Sequence, residues 1–153
     1  MEKKLALLAT IIVAMTILLV GCTKEDPRDQ YVGSYNETAV GTLTTVINGM
    51  NYTLTQDFSG TYQISKGSSE NSLIKIEGSK SLNGVFADPS VTFETETLTT
   101  PGVEGESLQL TIIMTGTFST NIFVTTRKVT GTYFYGGSAF PVTGTITGNA
   151  TKL

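Results

Sequence analysis

One five-residue pattern, apolar-x-Gly-Ser/Thr-large apolar, occurs six times: Y-V-G-S-Y at 31–35, A-V-G-T-L at 39–43, F-S-G-T-Y at 58–62, M-T-G-T-F at 114–118, V-T-G-T-Y at 129–133 and V-T-G-T-I at 142–146. Side chains of an extended strand alternate between faces, so positions one, three and five point the same way. That face reads large, absent, large, while the other carries mostly Thr and Ser. With turn signals at short intervals and no long stretch of helical period, the chain from Tyr31 onward is predicted to be all-β. Alternation of large and small residues fills the interior of a small barrel to fit its taper, and Gly lets a strand bend. A Thr-rich β-sandwich is the competing architecture.

The turns fix the phase. Asn48-Gly49, between T-L-T-T-V-I and M-N-Y-T-L-T, is a two-residue hairpin signal. It pairs residues whose numbers sum to 97, so Ile47 faces Met50, Leu43 faces Leu54, Ala39 faces Phe58 and Tyr35 faces Tyr62. A four-residue loop at 136–139 is expected to set Tyr135 against Phe140 and Tyr133 against Val142. Strands are expected at 31–47, 50–65, 72–77, 80–87, 90–99, 107–119, 122–135 and 140–151. Eight antiparallel strands in an up-and-down meander predict a closed β-barrel, which has no free edges.

Ahead of this domain, Lys3 and Lys4 precede an uncharged apolar run of 16 residues, Leu5 to Val20. As a helix it spans roughly 24 Å, short of the ~30 Å hydrocarbon core, so a signal peptide over residues 1–21 is expected rather than a permanent span. Leu19-Val20-Gly21-Cys22 resembles the lipobox of bacterial lipoproteins. That resemblance implies lipid attachment at Cys22, the one cysteine in the chain, and cleavage before it. Several acyl chains anchor a protein stably where one does not. Lys24-Glu25-Asp26 is similar to the Lys-plus-acids signal that sends some Gram-negative lipoproteins to the cell surface; a plain solvated linker is the other reading. The expected location is thus the outer membrane, lipid-anchored and surface-exposed, with its periplasmic face as the alternative. Residues 22–30 form the lipidated terminus and tether, and 31–153 the barrel.

Gly33-Ser34-Tyr35, standing where lipocalins carry Gly-x-Trp, together with the strand count and the leader, resembles the small calycin-like, lipocalin-like lipoproteins of the Gram-negative envelope. The chain has no Trp, so the lipocalin cap of a Trp packed by a late Arg is not reproduced. The resemblance implies a barrel that binds a small apolar or amphipathic molecule.

Chemistry is limited by what is missing. There is no His, which excludes Ser-His-Asp and Cys-His arrangements and imidazole metal ligands. No catalytic group, cofactor or metal site is expected. Two acid pairs, Glu94/Glu96 on one strand face and Glu104/Glu106 around Gly105, read as solvated carboxylates. Without its leader the chain carries 8 basic and 12 acidic residues, a balance that argues against nucleic-acid binding. The phase of the strands turns two charges inward, Glu37 and Arg127. Either could hold the polar end of a ligand in a cavity lined by Tyr35, Tyr62, Phe118 and Tyr133. The alternative is a non-catalytic module with a filled barrel that meets an envelope protein.

Overall fold

Asn48 and Gly49 both take left-handed backbone angles, φ 51° and 79°, the conformation that a two-residue hairpin turn requires. The structure, a computed structural model, describes residues 25–101 and 106–153; the leader, Cys22, Lys24 and Glu104 lie outside them. The strands are β1 (Gly33–Thr38), β2 (Val40–Ile47), β3 (Met50–Asp57), β4 (Gly60–Lys66), β5 (Ser72–Glu77), β6 (Lys80–Ala87), β7 (Ser90–Phe93), β8 (Glu96–Pro101), β9 (Ser107–Ser119), β10 (Ile122–Tyr135) and β11 (Ser138–Lys152).

These eleven strands form eight ribbons. β1 runs on into β2 past Ala39, and β3 into β4 past residues 58 and 59. The two halves keep a single register: Ile47 pairs with Met50 and Val40 with Asp57, then Glu37 with Gly60 and Tyr35 with Tyr62. Every described ladder is antiparallel between neighbouring ribbons, and pairing of β1 with β11 closes the ring. The chain is therefore an all-β, eight-stranded closed barrel of calycin-like, lipocalin-like architecture, not a sandwich.

The second hairpin departs from expectation. Gly136 and Gly137, at φ 56° and 78°, make a two-residue turn, so Tyr135 pairs with Ser138, Tyr133 with Phe140 and Arg127 with Ile146. Two consecutive glycines adopt the paired left-handed conformation without Cβ strain, and the shorter loop wins. The shift is two residues, which changes partners and leaves every side chain on its expected face.

The β7/β8 ribbon is broken by a β-bulge. β7 pairs with β9 as Ser90–Thr117 through Thr92–Thr115, whereas β8 resumes as Glu96–Ile112. One extra residue on the β7/β8 side reverses the alternation, so Val91 and Phe93 are buried before it and Glu96 and Leu98 half-buried after it. Glu94 and Glu96 accordingly do not share a face.

Glycines of the repeat sit where a neighbouring strand sends in a large side chain. A Cβ on Gly41 would lie 2.8 Å from Ile146 Cγ1, and one on Gly144 would lie 2.6 Å from Leu43 Cδ2. These two pairs come from A-V-G-T-L and V-T-G-T-I running antiparallel, so each copy of the pattern offers a gap to the other's final residue. Such complementary filling is what close-packed interiors demand.

The lower half of the barrel is filled by aromatic rings. Tyr31 stacks on Phe118 at 4.5 Å, Phe118 on Phe123 at 4.1 Å, and Tyr35 lies 6.1 Å from Tyr62. The segment before β1 seals this end. The Tyr31 hydroxyl donates to Asp88 (2.6 Å), Tyr35 donates to the Tyr31 carbonyl (2.8 Å), and the Arg28 guanidinium bonds Asp26 and the carbonyls of Ser69 and Ser72. Those Arg28 hydrogen bonds hold the Asp26 carboxyl far below the usual carboxylate range. Burial pushes the Tyr31 and Tyr35 hydroxyls up to about 12 and raises Tyr62 further. A raised folded-state value favours the protonated form, so the contribution is complete below the unfolded tyrosine value of about 10. It is lost as pH climbs through about 12. Since the chain has no Trp, the tyrosinate absorbance band is readable directly. Tyrosinate from Tyr31 and Tyr35 is expected only on approaching that pH, together with loss of the circular-dichroism signal of the sheet; full ionisation of all six tyrosines near pH ~10 with the sheet intact would refute the packing.

Candidate functional site at the parted wall

Barrel closure holds for only part of its height. The β5–β6 hairpin turns back early, with Glu77 paired to Lys80, while β2–β3, β8–β9 and β10–β11 continue past it. Among the described residues β3 then pairs only with β2, and β8 only with β9. Above the hairpin the wall is an open trough of six strands in the order β3-β2-β11-β10-β9-β8. Its concave face carries Leu43, Leu110, Val129, Val142 and Ile146, fully or almost fully buried, with Leu54, Phe58, Leu98 and Tyr133 half-buried against them.

A cleft of about 430 Å³ occupies the step where the wall parts. Phe58, Leu98, Ile112 and Met114 supply its apolar surface. Lys75, Glu77, Lys80 and Glu96 stand around it, joined as two ion pairs, Lys75 to Glu77 and Lys80 to Glu96 at 3.2 Å. Lys75 is itself buried, its ammonium 4.6 Å from the centre of the Tyr62 ring. Arg127 reaches the cleft from behind, 5.5 Å from the Phe58 ring.

The two inward charges satisfy each other. Arg127 donates from its two terminal nitrogens to the two Glu37 oxygens at 2.8 and 2.6 Å, and from Nη1 to Thr125 Oγ1 at 3.0 Å. The Thr125 hydroxyl donates to Glu37 as well. Glu37 is 2% exposed and Arg127 4%, so the pair is desolvated and its two-pronged geometry offsets that cost. Gly148 leaves the room: a Cβ there would lie 2.7 Å from both Ala39 Cβ and Thr125 Oγ1 and would collide with the Glu37 carboxylate. No outward bulge occurs at either residue, and of the pair Arg127 is the one that touches the cleft.

The four aromatic residues expected together are divided. Tyr35, Tyr62 and Phe118 are packed against other rings in the lower half, and none of them lines the cleft. Tyr133 sits near the far rim, half-buried against the upper cluster. The cleft itself was missed because it depends on where β5 and β6 stop; the readable signal was the short spacing between Leu73 and Leu82 around Gly78. Of the acidic residues, Glu94 accepts from Asn83 (3.0 Å) and Glu96 from Lys80. Among the described residues no cluster of His, Cys, Asp and Glu is arranged to hold a metal ion. Asp26 belongs to the fold through Arg28 and Lys66, and Glu25 is exposed.

The ion pair yields a test. Glu37→Leu or Arg127→Met alone leaves one charge buried without its partner and is expected to destabilise by ~3–5 kcal/mol, whereas the double variant recovers most of the loss. Chemical denaturation of the four proteins checks this; equal losses in the double and single variants would show that the pair acts only through volume.

Comparison of the chain with protein-family models, with curated proteins and with solved structures finds no match, so what the cleft accepts follows from its own geometry.

Proposed function

We propose that this chain is an outer-membrane lipoprotein, anchored through Cys22 and displayed at the cell surface with Lys24, Glu25 and Asp26 as its export signal. Its barrel binds a small apolar or amphipathic molecule at the parted wall. The observation that carries this reading is the step itself: a solid aromatic floor below, an apolar trough above and a cleft of about 430 Å³ between. That volume falls within the ~300–1,000 Å³ range of small-molecule sites, which are mostly apolar with a few placed polar groups. An apolar tail lies against Phe58, Leu98 and Ile112, and a polar end meets Lys75 or Arg127, the latter held in position by Glu37. The sealed end holds the N-terminal segment, so the cleft opens away from the anchor. No enzymatic role is assigned.

A second reading, an interaction module, is favoured by one observation: among the described residues β3 presents an unpaired edge, with no charge between Met50 and Gln56. Such an edge is a template for a strand from an envelope protein.

Native mass spectrometry of the full chain, released from mild detergent after extraction from its own envelope, tests the leading reading. Wild-type protein is expected to carry its lipid mass and, in addition, a non-covalent small molecule. Cys22→Ala is expected to lose the lipid. Leu98→Trp, which fills the cleft, is expected to lose the small molecule. Absence of any adduct beyond the lipid, or an undiminished adduct on Leu98→Trp, overturns ligand binding, and a stoichiometric protein partner in its place supports the second reading.

A further inference from the structure

A second cleft of about 240 Å³ opens at the far rim of the trough, lined by Ile47, Tyr52, Thr53, Leu54, Tyr133 and Tyr135. It shares no lining residue with the first cleft and lies farther along two of the same strands: Tyr52 stands on β3, and Tyr133 and Tyr135 lie two positions apart on β10. The Tyr133 and Tyr135 rings are near-parallel, 15° between planes, with centroids 6.1 Å apart. Tyr52 is 42% exposed and Tyr135 49%. Tyr133 is the fixed member of the set, packed against the upper cluster, and burial together with the influence of the Glu106 carboxylate raises its hydroxyl.

The lining narrows the occupant. Among the described residues the lining itself carries no charged side chain, so it offers no cation to neutralise a phosphate or a carboxylate. Each tyrosine offers an apolar ring face and a hydroxyl at its edge. That combination complements a molecule with C–H groups on its faces and hydroxyls around its rim, which is the chemistry of a pyranose ring. The aliphatic floor is only Ile47 and Leu54, too little to bury a lipid tail, whereas Phe58, Leu98, Ile112 and Met114 are available for one in the lower cleft. Thr53 and the tyrosine hydroxyls are the groups placed to bond the sugar hydroxyls.

We infer that the rim cleft formed by Tyr52, Tyr133 and Tyr135 binds an uncharged oligosaccharide by stacking, independently of whether the lower cleft holds a ligand. Tyr52 and Tyr135 carry the stacking, and Tyr133, held from beneath, sets the position of the platform. Both exposed rings can be removed without opening the core, so their loss reads on binding rather than folding.

Affinity electrophoresis of the full-length chain in mild detergent tests this, with native gels containing in turn a soluble β-glucan, an α-glucan, a xylan, a galactan and a mannan, and a polyanionic pectin as control. At least one neutral polysaccharide is expected to retard the wild type, with pectin doing so no more strongly. Tyr52→Ala and Tyr135→Ala are each expected to weaken retardation about tenfold, and Tyr135→Phe, which keeps the ring, much less. Near-ultraviolet circular dichroism checks that the variants keep the aromatic core. Unchanged migration in all five neutral gels overturns the inference, as does retardation that both alanine variants retain; retardation by pectin alone would assign the rim to an anion instead. The lower-cleft adduct on the mass spectrum is expected to survive Tyr52→Ala, which separates the two sites.

Discussion

Glu37 and Arg127 meet at the height where the barrel wall parts, and the rest of the structure is arranged around that meeting. Glu37 pairs across to Gly60 at the start of β4, just where the β3/β4 ribbon leaves the closed ring for the trough. Arg127 lies on β10, which passes through both halves. Their two-pronged contact, with Thr125, ties β1 to β10 past the intervening β11. The glycine at 148 and the small Ala39 exist beside it as space for the carboxylate. A purely apolar plug at this level would pack equally well in any rotation of the neighbouring strands, whereas a fork donor and a carboxylate accept one register.

Below that level rings fill the interior, and above it the same large-Gly-large pattern covers a concave sheet whose two edge strands are not joined among the described residues. One repeat therefore serves two environments. In the closed ring its large residues meet others from across the barrel; in the trough they have neighbours only to the side, and the half-buried Leu54, Phe58 and Leu98 are the ones left facing the gap. The clefts follow from this geometry rather than from any special cluster of residues. Shortening one hairpin removes the facing wall and exposes part of a core.

The register of the first hairpin was legible because Asn48-Gly49 admits one tight turn and the alternation runs uninterrupted for the full ribbon. At Gly136-Gly137 the sequence permits more than one loop length, since Gly at consecutive positions suits several turns. The inward faces survived because both options have the same parity. Glu37 and Arg127 were readable as inward for the same reason, but not as partners, since 90 positions separate them and only barrel closure makes them neighbours. The bulge before Glu96 left no turn residue to betray it. The stopping point of β5 and β6 decided the cleft, and an edge that ends a ladder has no distinctive composition.

The folded segment from Asp26 to Tyr31 bears on how the molecule stands. Arg28 and Tyr31 fasten it to the β4–β5 and β6–β7 ends of the barrel, so only the three residues 23–25 remain between the proposed lipid and the folded body. A leash that short restricts swivel as well as distance, and the barrel would rise from the bilayer like a post set in a socket. With β11 running 15 residues at the usual barrel tilt, the tyrosine rim stands roughly 40 Å above the closed end. In the proposed anchored form such a post would carry the proposed binding surfaces clear of the lipid headgroups and hold them at a nearly constant height.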